Sequence, residues 1–381
     1  MGRARTKSSK VKILGASSAA ANDAKSGPSV SALLEKAQEL IVQCDYELAE
    51  RFVRRVLERE PRNAEAREML GVAQLEQGEL EAAKSTFQSL LPPNTTAPPT
   101  PPPSAHLYLA QLSDDDPHIA LQHYQAAVDI LVAQLKGKDR ASDPAALTDD
   151  ETEMRRNVVR ALIGMVEIWM DPQYELCDDP TAEHTCENLL NTALQVDPGN
   201  AEALQTLASV RLSQQRPDDA KACLEQAWTA WKDLDLDDPR LPLIPTRLAL
   251  VKLFLELELY TPALLVLQGV MASDDQEVEA WYLEGWCFFL MAEEAREKGE
   301  PLDGLAWEEL ARDARDCLET CQMLHVNEEY PDAPLLNHAK ELIEKLEALG
   351  IHQSPPGEDE EDGEDWEDAD GSDEDEDVEM S

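Results

Sequence analysis

The sequence predicts an all-α fold, an α-solenoid of about seven stacked helical hairpins with a C-terminal capping helix and disordered termini. Apolar residues recur at helical spacing through most of the chain, as at Ala49, Val53 and Val56, which predicts amphipathic helices. The alternating apolar pattern of half-buried strands does not occur in this sequence. Similar pairs of helices return at a fixed interval, which indicates a repeat architecture.

The interval is that of a tetratricopeptide repeat, about 34 residues. Ala83 follows Ala49 by this interval, and both stand in the second helix of a hairpin pattern. Small residues at Gly71 and Ala83 should let the two helices of one hairpin approach closely, and Phe87 should fill the gap toward the next repeat. We therefore predict tetratricopeptide hairpins, some close to the consensus and others irregular.

Seven hairpins and one further helix can be assigned in chain order. The first helices of the hairpins are predicted to begin near Ala32, Ala66, Ala105, Asn157, Ala201, Pro245 and Ala280. The last helix, between Asp332 and Gly350, is amphipathic. It is suited to cap the apolar end of the stack, which terminal elements of repeat proteins must cover.

The repeat region is expected to span residues 29–352. A Pro-rich insertion at 92–104, expected to be an extended spacer, and a loop at 136–153 interrupt it, and both should lie on the surface. The two flanking segments differ in charge. Residues 1–28 form a basic extension and residues 353–381 an acidic tail, and both are too polar to bury a core.

The charge of the chain restricts the class of partner. The sequence has 78 acidic and 33 basic residues, for a net charge of -45. The 16 acidic residues of the tail account for only part of this excess, so the repeat region is strongly acidic too. Such a field repels nucleic acid and anionic lipid and attracts polycations. We therefore expect a basic protein partner, with no direct nucleic-acid binding and no membrane.

No catalytic chemistry is predicted. The sequence lacks the phosphate-binding G-x-x-x-x-G-K-[ST] motif, the nucleophile motif G-x-S-x-G, and the metal motifs H-E-x-x-H and C-x-x-C. The cysteines are scattered and mostly lie in apolar helical patterns, which is typical of reduced core residues in an intracellular protein: Cys44, Cys177, Cys186, Cys223, Cys287, Cys317 and Cys321. We expect no catalytic residues, no metal site and no cofactor.

Stacked hairpins of this kind have a groove lined by the first helix of each repeat. Counting each repeat from its own signature places eleven residues on or beside that surface: Glu65, Glu68, Met165, Ile168, Trp169, Glu202, Gln205, Glu279, Tyr282, Trp286 and Phe289. Carboxylates combined with large apolar groups favour an extended basic segment that carries apolar anchors. The alternatives are a hairpin-core role for aromatics such as Trp286 and Phe289, and an ordinary solvated face for the glutamates.

One known mode of tetratricopeptide recognition is disfavoured by the groove residues. Repeats that grip the C-terminal carboxylate of general chaperones use Lys and Asn at the fifth and ninth positions. This sequence has Leu34 and Gln38 there in the first repeat, and Glu68 and Val72 in the second. Docking on chaperone tails is therefore not expected.

The basic extension has three possible roles. Residues from Arg3 to Lys12 are typical of a nuclear-import segment, Gly2 and Thr6 match the pattern for N-myristoylation, and an ordinary chain terminus is the third alternative. The extension lacks the apolar core of a secretory signal. The acidic tail, with its single aromatic residue Trp366, could either keep the protein soluble or collect basic segments.

The combination of these features resembles a known family. A basic extension, the regular first two repeats between Leu33 and Leu91, irregular later repeats, a capping helix and an acidic tail ending in DEDEDVEMS are similar to the fungal dedicated assembly chaperones of large ribosomal subunit protein number four. The resemblance spans essentially the whole chain, although its single motifs are generic to tetratricopeptide proteins.

The resemblance implies a non-enzymatic escort that works in cytoplasm and nucleus. Such a protein would bind the newly made ribosomal protein, in a 1:1 complex, through its long basic internal loop. It would prevent aggregation and accompany its client to nuclear pre-60S particles. An acidic histone chaperone and a general tetratricopeptide interaction scaffold remain as alternatives.

Overall fold

The structure, a computed structural model, describes residues 28–113, 115–138 and 149–352. These residues form fifteen α-helices and no strand, apart from an isolated bridge between Leu302 and Leu305. The prediction of an all-α fold is confirmed. The predictions for the acidic tail, and for the basic extension before Pro28, lie outside the described residues. Within the described ranges, no helix is long and apolar enough to cross a membrane.

The chain divides into two compact units, the first ending at Asp197 and the second beginning at Pro198. Four hairpins form the first unit. Their helices are α1 (Val30–Val42) with α2 (Tyr46–Arg59), α3 (Ala64–Glu76) with α4 (Leu80–Gln88), α5 (Pro103–Gln111) with α6 (Pro117–Lys138), and α7 (Asp149–Met170) with α8 (Ala182–Val196). Two short 3-10 turns, Pro172–Tyr174 and Leu176–Asp178, connect α7 to α8.

Three hairpins and a final helix form the second unit. They are α9 (Ala201–Ser213) with α10 (Pro217–Thr229), α11 (Ile244–Glu256) with α12 (Tyr260–Met271), α13 (Val278–Lys298) with α14 (Trp307–Asn327), and α15 (Ala333–Ala348). The helix α15 packs on α13 and α14. The structure contains the seven predicted hairpins and the predicted capping helix. The helix α7, however, begins at Asp149, eight residues before the predicted start at Asn157. Both ends of the predicted loop 136–153 are therefore helical, and its residues 139–148 lie outside the described residues.

Side-chain caps set the start of several helices. The Ser29 hydroxyl accepts a hydrogen bond from the Ala32 amide at 3.1 Å and begins α1. The side chains of Asp45, Asn63, Asn200 and Asp332 do the same for α2, α3, α9 and α15. Each cap satisfies an amide that has no partner inside its own helix.

The helices α3 and α4 of the second hairpin pack closely because Gly71 has no side chain. A Cβ atom at Gly71 would lie 2.6 Å from the Phe87 ring, closer than any side chain tolerates. The Phe87 ring is fully buried and stacks on Tyr108 of the next hairpin, with ring centroids 4.7 Å apart. Both predictions for this hairpin are confirmed: Gly71 permits the approach of α3 and α4, and Phe87 fills the gap to α5.

Buried arginines tie the two helices of a hairpin together at one end. Arg67 of α3 donates to the Ser89 carbonyl at 3.0 Å and to the Thr96 carbonyl at 2.7 Å. Arg247 of α11, at the equivalent repeat position, donates to the Gly269 carbonyl at 3.1 Å. A cation is favourable near carbonyls at the C-terminal end of a helix. Arg67 also binds the Pro-rich insertion at Thr96. The insertion was predicted to be an extended spacer, but it forms turns around Asn94 and Ala97, and its last two residues begin α5.

Candidate partner-binding site

The first helices α1 and α3 line an open groove of about 1040 Å³. We call it the α1–α3 groove and define it by the residues that line it: Val30, Ser31, Leu34, Glu35, Gln38, Glu39, Val42, Gln43, Glu65 and Met69. Three of the ten are glutamates, and none is Lys or Arg. The groove therefore combines negative charge with apolar walls, on the first-helix face where a binding surface was predicted.

The apolar part of the α1–α3 groove is partly left in water. Leu34 is buried in the core of the first hairpin, and Val30 and Met69 pack against that core. Val42, by contrast, is 74% exposed at the end of α1. An exposed apolar residue at the rim of a concave surface is a natural contact for an apolar side chain of a partner.

Among the described residues, two carboxylates of the α1–α3 groove make exposed contacts with neighbours on their own helix. Lys36 pairs with Glu39 at 2.8 Å, with both side chains well exposed. The Ser31 hydroxyl donates to Glu35 at 3.1 Å, also at the surface. Exposed contacts of this kind contribute about 0–1 kcal/mol. A basic partner can therefore compete for these carboxylates at little cost.

Negative charge continues along α3 toward α5. Burial raises the pKa of the Tyr108 hydroxyl in α5, and the carboxylates of Glu68 and Glu76 raise it further. Glu68, one of the predicted groove residues, is partly buried. The carboxylates of Glu68 and Glu76 are thus close enough to α5 to act on the Tyr108 hydroxyl.

The three predicted residues of α7 differ in exposure. Met165 is buried, with 7% of its surface exposed, while Ile168 and Trp169 are partly exposed. Ile168 lines a smaller cavity of about 170 Å³, together with Tyr124 and Glu167. Of the three, Ile168 and Trp169 retain exposed surface that a partner could contact.

An aromatic cluster occupies the first-helix face at the end of the second unit. A hydrogen bond of 2.7 Å joins the Tyr282 hydroxyl to Nδ1 of His338 in α15. The Trp286 ring packs at 5.9 Å from Tyr282 and 5.5 Å from His338, measured between centroids. Burial raises the pKa of Tyr282 to about 12. We call these three residues the α13–α15 aromatic cluster; the capping helix partly covers it.

Phe289 lies one turn further along α13 and belongs to the core. Its side chain is 4% exposed, and the Lys345 ammonium of α15 lies 5.7 Å from the ring centroid. The groove position assigned to Phe289 is therefore buried, and the hairpin-core alternative describes it.

The predicted residues near the start of α9 and α13 are polar. Glu202 is exposed, while Gln205 is buried and its Nε2 has no hydrogen-bond partner among the described residues. Glu279 pairs with Lys252 of α11 at 2.5 Å. Lys252 occupies the ninth position of its repeat, counted from Ala263, so the same counting rule could have found it.

The eleven predicted residues thus do not form one accessible surface. Met165, Gln205 and Phe289 are buried in their own unit, and the others keep some exposure. The structure brings Glu65 to α1, and Tyr282 to Trp286. It adds Glu35, Glu39 and Val42 of α1 to the groove, which the sequence counting missed. It also shows that Lys252 of α11 pairs with Glu279 and that His338 of α15 binds Tyr282. The binding role of every one of these residues remains a prediction.

The cysteines do not supply a reactive or metal-binding centre in the described residues. Cys186, Cys287, Cys317 and Cys321 are buried, whereas Cys44 and Cys177 are exposed. Burial raises the pKa of Cys287 to about 12, which keeps its thiol protonated at neutral pH. The described ranges contain no group of three or more His, Cys, Asp or Glu residues that could hold a metal ion.

Comparison with known proteins identifies the repeats and the family. Residues 34–98 and 187–230 match models of the tetratricopeptide repeat. The probable assembly chaperone of rpl4 from Emericella nidulans is 34% identical over 282 residues, which cover 71% of this chain and 68% of the relative. This chain belongs to the family of rpl4 assembly chaperones.

A second relative and a solved structure agree with this assignment. The probable assembly chaperone of rpl4 from Schizosaccharomyces pombe is 30% identical over 298 residues, 77% of this chain and 82% of the relative. A solved structure described as the assembly chaperone of RpL4 (Acl4), residues 1–338, is 29% identical with a TM-score of 0.61, and the match covers 71% of this chain and all of that one. The family resemblance seen in the sequence is confirmed. The prediction of a non-enzymatic protein is also confirmed, because these relatives are named as chaperones.

Proposed function

We propose that this protein is a dedicated chaperone of newly made rpl4, the large-subunit ribosomal protein named in its relatives. The proposal is supported by the two curated relatives, each matched over more than two thirds of its length. The family assignment supports a role as a ribosomal-protein chaperone. The mode of binding and the route of the client are the further parts of the proposal.

The client is held through an extended basic segment, the internal loop of rpl4. The observation that carries this step is the α1–α3 groove, which has three glutamates and no basic residue among the residues that line it. Its carboxylates suit Lys and Arg side chains, and Val42 and Met69 suit apolar side chains between them. The acidic surface near Glu68 and Glu76 extends the contact.

The chaperone protects its client by covering the positive charge of the basic segment. A segment destined to contact rRNA is rich in cations, and without rRNA it binds other RNA and aggregates. An acidic surface shields it in the cytoplasm and during transport into the nucleus, in a 1:1 complex. At the pre-60S particle, rRNA offers a denser array of negative charge, which displaces the chaperone.

The experiment reverses the charge of the α1–α3 groove in the full chain. The variant Glu35→Lys, Glu39→Lys, Glu65→Lys is compared with Glu47→Lys, Glu58→Lys, Glu81→Lys, a control that changes net charge equally on the exposed faces of α2 and α4. Binding of purified rpl4 is measured by titration calorimetry at physiological salt. Exposed pairs are each worth up to about 1 kcal/mol and repulsions replace them, so we expect the groove variant to bind at least about 10-fold more weakly.

The control should lose much less affinity than the groove variant, because only the general field changes. Equal losses in both variants would show that the acidic field, and not this groove, holds the client. Unchanged affinity in both would contradict the proposed mode of binding. An accompanying light-scattering assay should show that the groove variant no longer keeps rpl4 in solution.

A further inference from the structure

The α1–α3 groove has a potential ligand in the same chain. We propose that residues 7–14 of the N-terminal extension occupy this groove until a partner displaces them. The inference rests on the proposed function, because it assumes that the groove accepts a basic, extended segment with apolar anchors. It adds that the free chaperone carries its own competitor.

The chemistry of this segment matches that of the groove. Residues 7–14 read KSSKVKIL and contain three lysines and three large apolar residues. In an extended backbone, side chains alternate between two sides, so Lys10 and Lys12 would project opposite to Val11 and Ile13. The α1–α3 groove offers three carboxylates and exposed apolar surface at Val42. Charge complementarity therefore favours this segment over any acidic or neutral part of the chain.

The place where the extension joins the fold allows this contact. The Pro28 carbonyl accepts a hydrogen bond of 2.5 Å from Arg59, and the next residues, Val30 and Ser31, already line the groove. The helix α1 has 13 residues and is therefore about 20 Å long. The 15 residues between Leu14 and Val30 can span about 50 Å when extended. It is long enough to return along α1 with several residues to spare.

Tethering makes even a weak contact effective. A segment tethered over a short distance has an effective concentration in the millimolar range at a nearby site. A partner must then displace it, and its apparent affinity falls by the fraction of chains whose groove is open. Only a partner with a longer or better-matched basic segment binds well. Its binding releases the lysines of residues 7–14.

The test uses the full chain and a fluorescent synthetic peptide that copies residues 7–14. The variant Lys7→Ser, Lys10→Ser, Lys12→Ser removes the proposed internal competitor. The matched control, Arg3→Ser, Arg5→Ser, Lys25→Ser, removes the same charge from the extension outside that segment. Peptide binding is followed by fluorescence anisotropy. If about four fifths of the grooves are occupied, the first variant should bind the peptide about fivefold more tightly than the unmodified chain.

The control should bind the peptide within about twofold of the unmodified chain, since its competitor is intact. Adding Glu35→Lys, Glu39→Lys, Glu65→Lys should abolish the gain, which places the competition in the groove. Equal peptide affinity for the unmodified chain and the Lys7, Lys10, Lys12 variant would overturn the inference, as would an equal gain in the control. Because rpl4 binding is measured separately, these results would leave the proposed function standing. The proposed binding through the groove fails if the groove variant binds rpl4 normally or loses no more affinity than its charge-matched control.

Discussion

The α1–α3 groove and the α13–α15 aromatic cluster use the same face of the repeat but differ in what covers it. In the groove, Glu35 and Glu39 are exposed and Val42 keeps 74% of its surface in water. In the cluster, Tyr282 is hydrogen-bonded to His338 of α15, and Trp286 packs on the same ring. Among the described residues, the first surface is left exposed, whereas the second is partly covered by the helix α15.

The position of a residue in the repeat therefore does not tell whether its side chain lies on an exposed binding surface or in a helix contact. In α13, the groove positions Tyr282 and Phe289 lie against His338 and Lys345 of α15, so a neighbouring helix decides their exposure. Within the part of the chain that the structure describes, the groove side of α1 keeps Glu35, Glu39 and Val42 exposed. The helix α15 packs on α13, and it converts part of the first-helix face of α13 into a helix contact.

The largest expected effect comes from releasing α15. Arg315 of α14 is buried and donates to the Ile351 carbonyl at 2.8 Å, to Glu347 at 2.9 Å and to Glu319 at 2.7 Å. The change Arg315→Leu removes these bonds and leaves the Ile351 carbonyl and the Glu319 carboxylate without their partner. We expect a loss of about 2–3 kcal/mol in the free energy of unfolding, measured by urea denaturation and circular dichroism.

The matched control is Arg312→Leu, an exposed arginine one turn earlier on α14. It should change the free energy of unfolding by less than about 0.5 kcal/mol. The Arg315 variant should also make the α13–α15 aromatic cluster accessible to a soluble fluorescence quencher. Similar stability of both variants would mean that Arg315 does not hold the capping helix. The attachment of α15 would then not explain why the aromatic cluster is covered.

Most of the fold could be predicted from the sequence because its signals are local. The 34-residue interval, the apolar spacing around Ala49 and Ala83, and the close approach at Gly71 depend on neighbouring helices only. The cap residues Ser29 and Asn63 act within three residues of themselves. Local signals of this kind are found without knowing the tertiary structure.

The candidate site was less predictable because exposure is set by distant parts of the chain. Phe289 and Tyr282 occupy groove positions, yet Lys345 and His338 of α15 lie against them. Nothing in the spacing of α13 indicates those contacts. Counting also missed Glu35, which stands beside the groove positions of α1, lines the groove and is exposed among the described residues.

Removal of the Tyr282 hydroxyl, in the α13–α15 aromatic cluster, should have a smaller effect on the free energy of unfolding. The change Tyr282→Phe removes the 2.7 Å hydrogen bond to His338 and keeps the ring that packs on Trp286. We expect the free energy of unfolding to fall by about 1 kcal/mol. Affinity for rpl4 should not change. A clear loss of affinity, with stability intact, would mean that this hydroxyl faces the partner rather than α15.

The smallest expected effect on stability comes from the open surface, at Val42. Because this side chain is 74% exposed, Val42→Ser removes little buried area, and the free energy of unfolding should change by less than about 0.5 kcal/mol. Loss of an apolar contact worth about 1 kcal/mol should nevertheless weaken rpl4 binding roughly fivefold in titration calorimetry. Leu80→Ser is the control, an exposed apolar residue of α4 outside the groove, and it should leave both quantities nearly unchanged. If Val42→Ser and Leu80→Ser gave the same affinity, exposure in the α1–α3 groove would have no bearing on the partner, and the two surfaces would differ in packing alone.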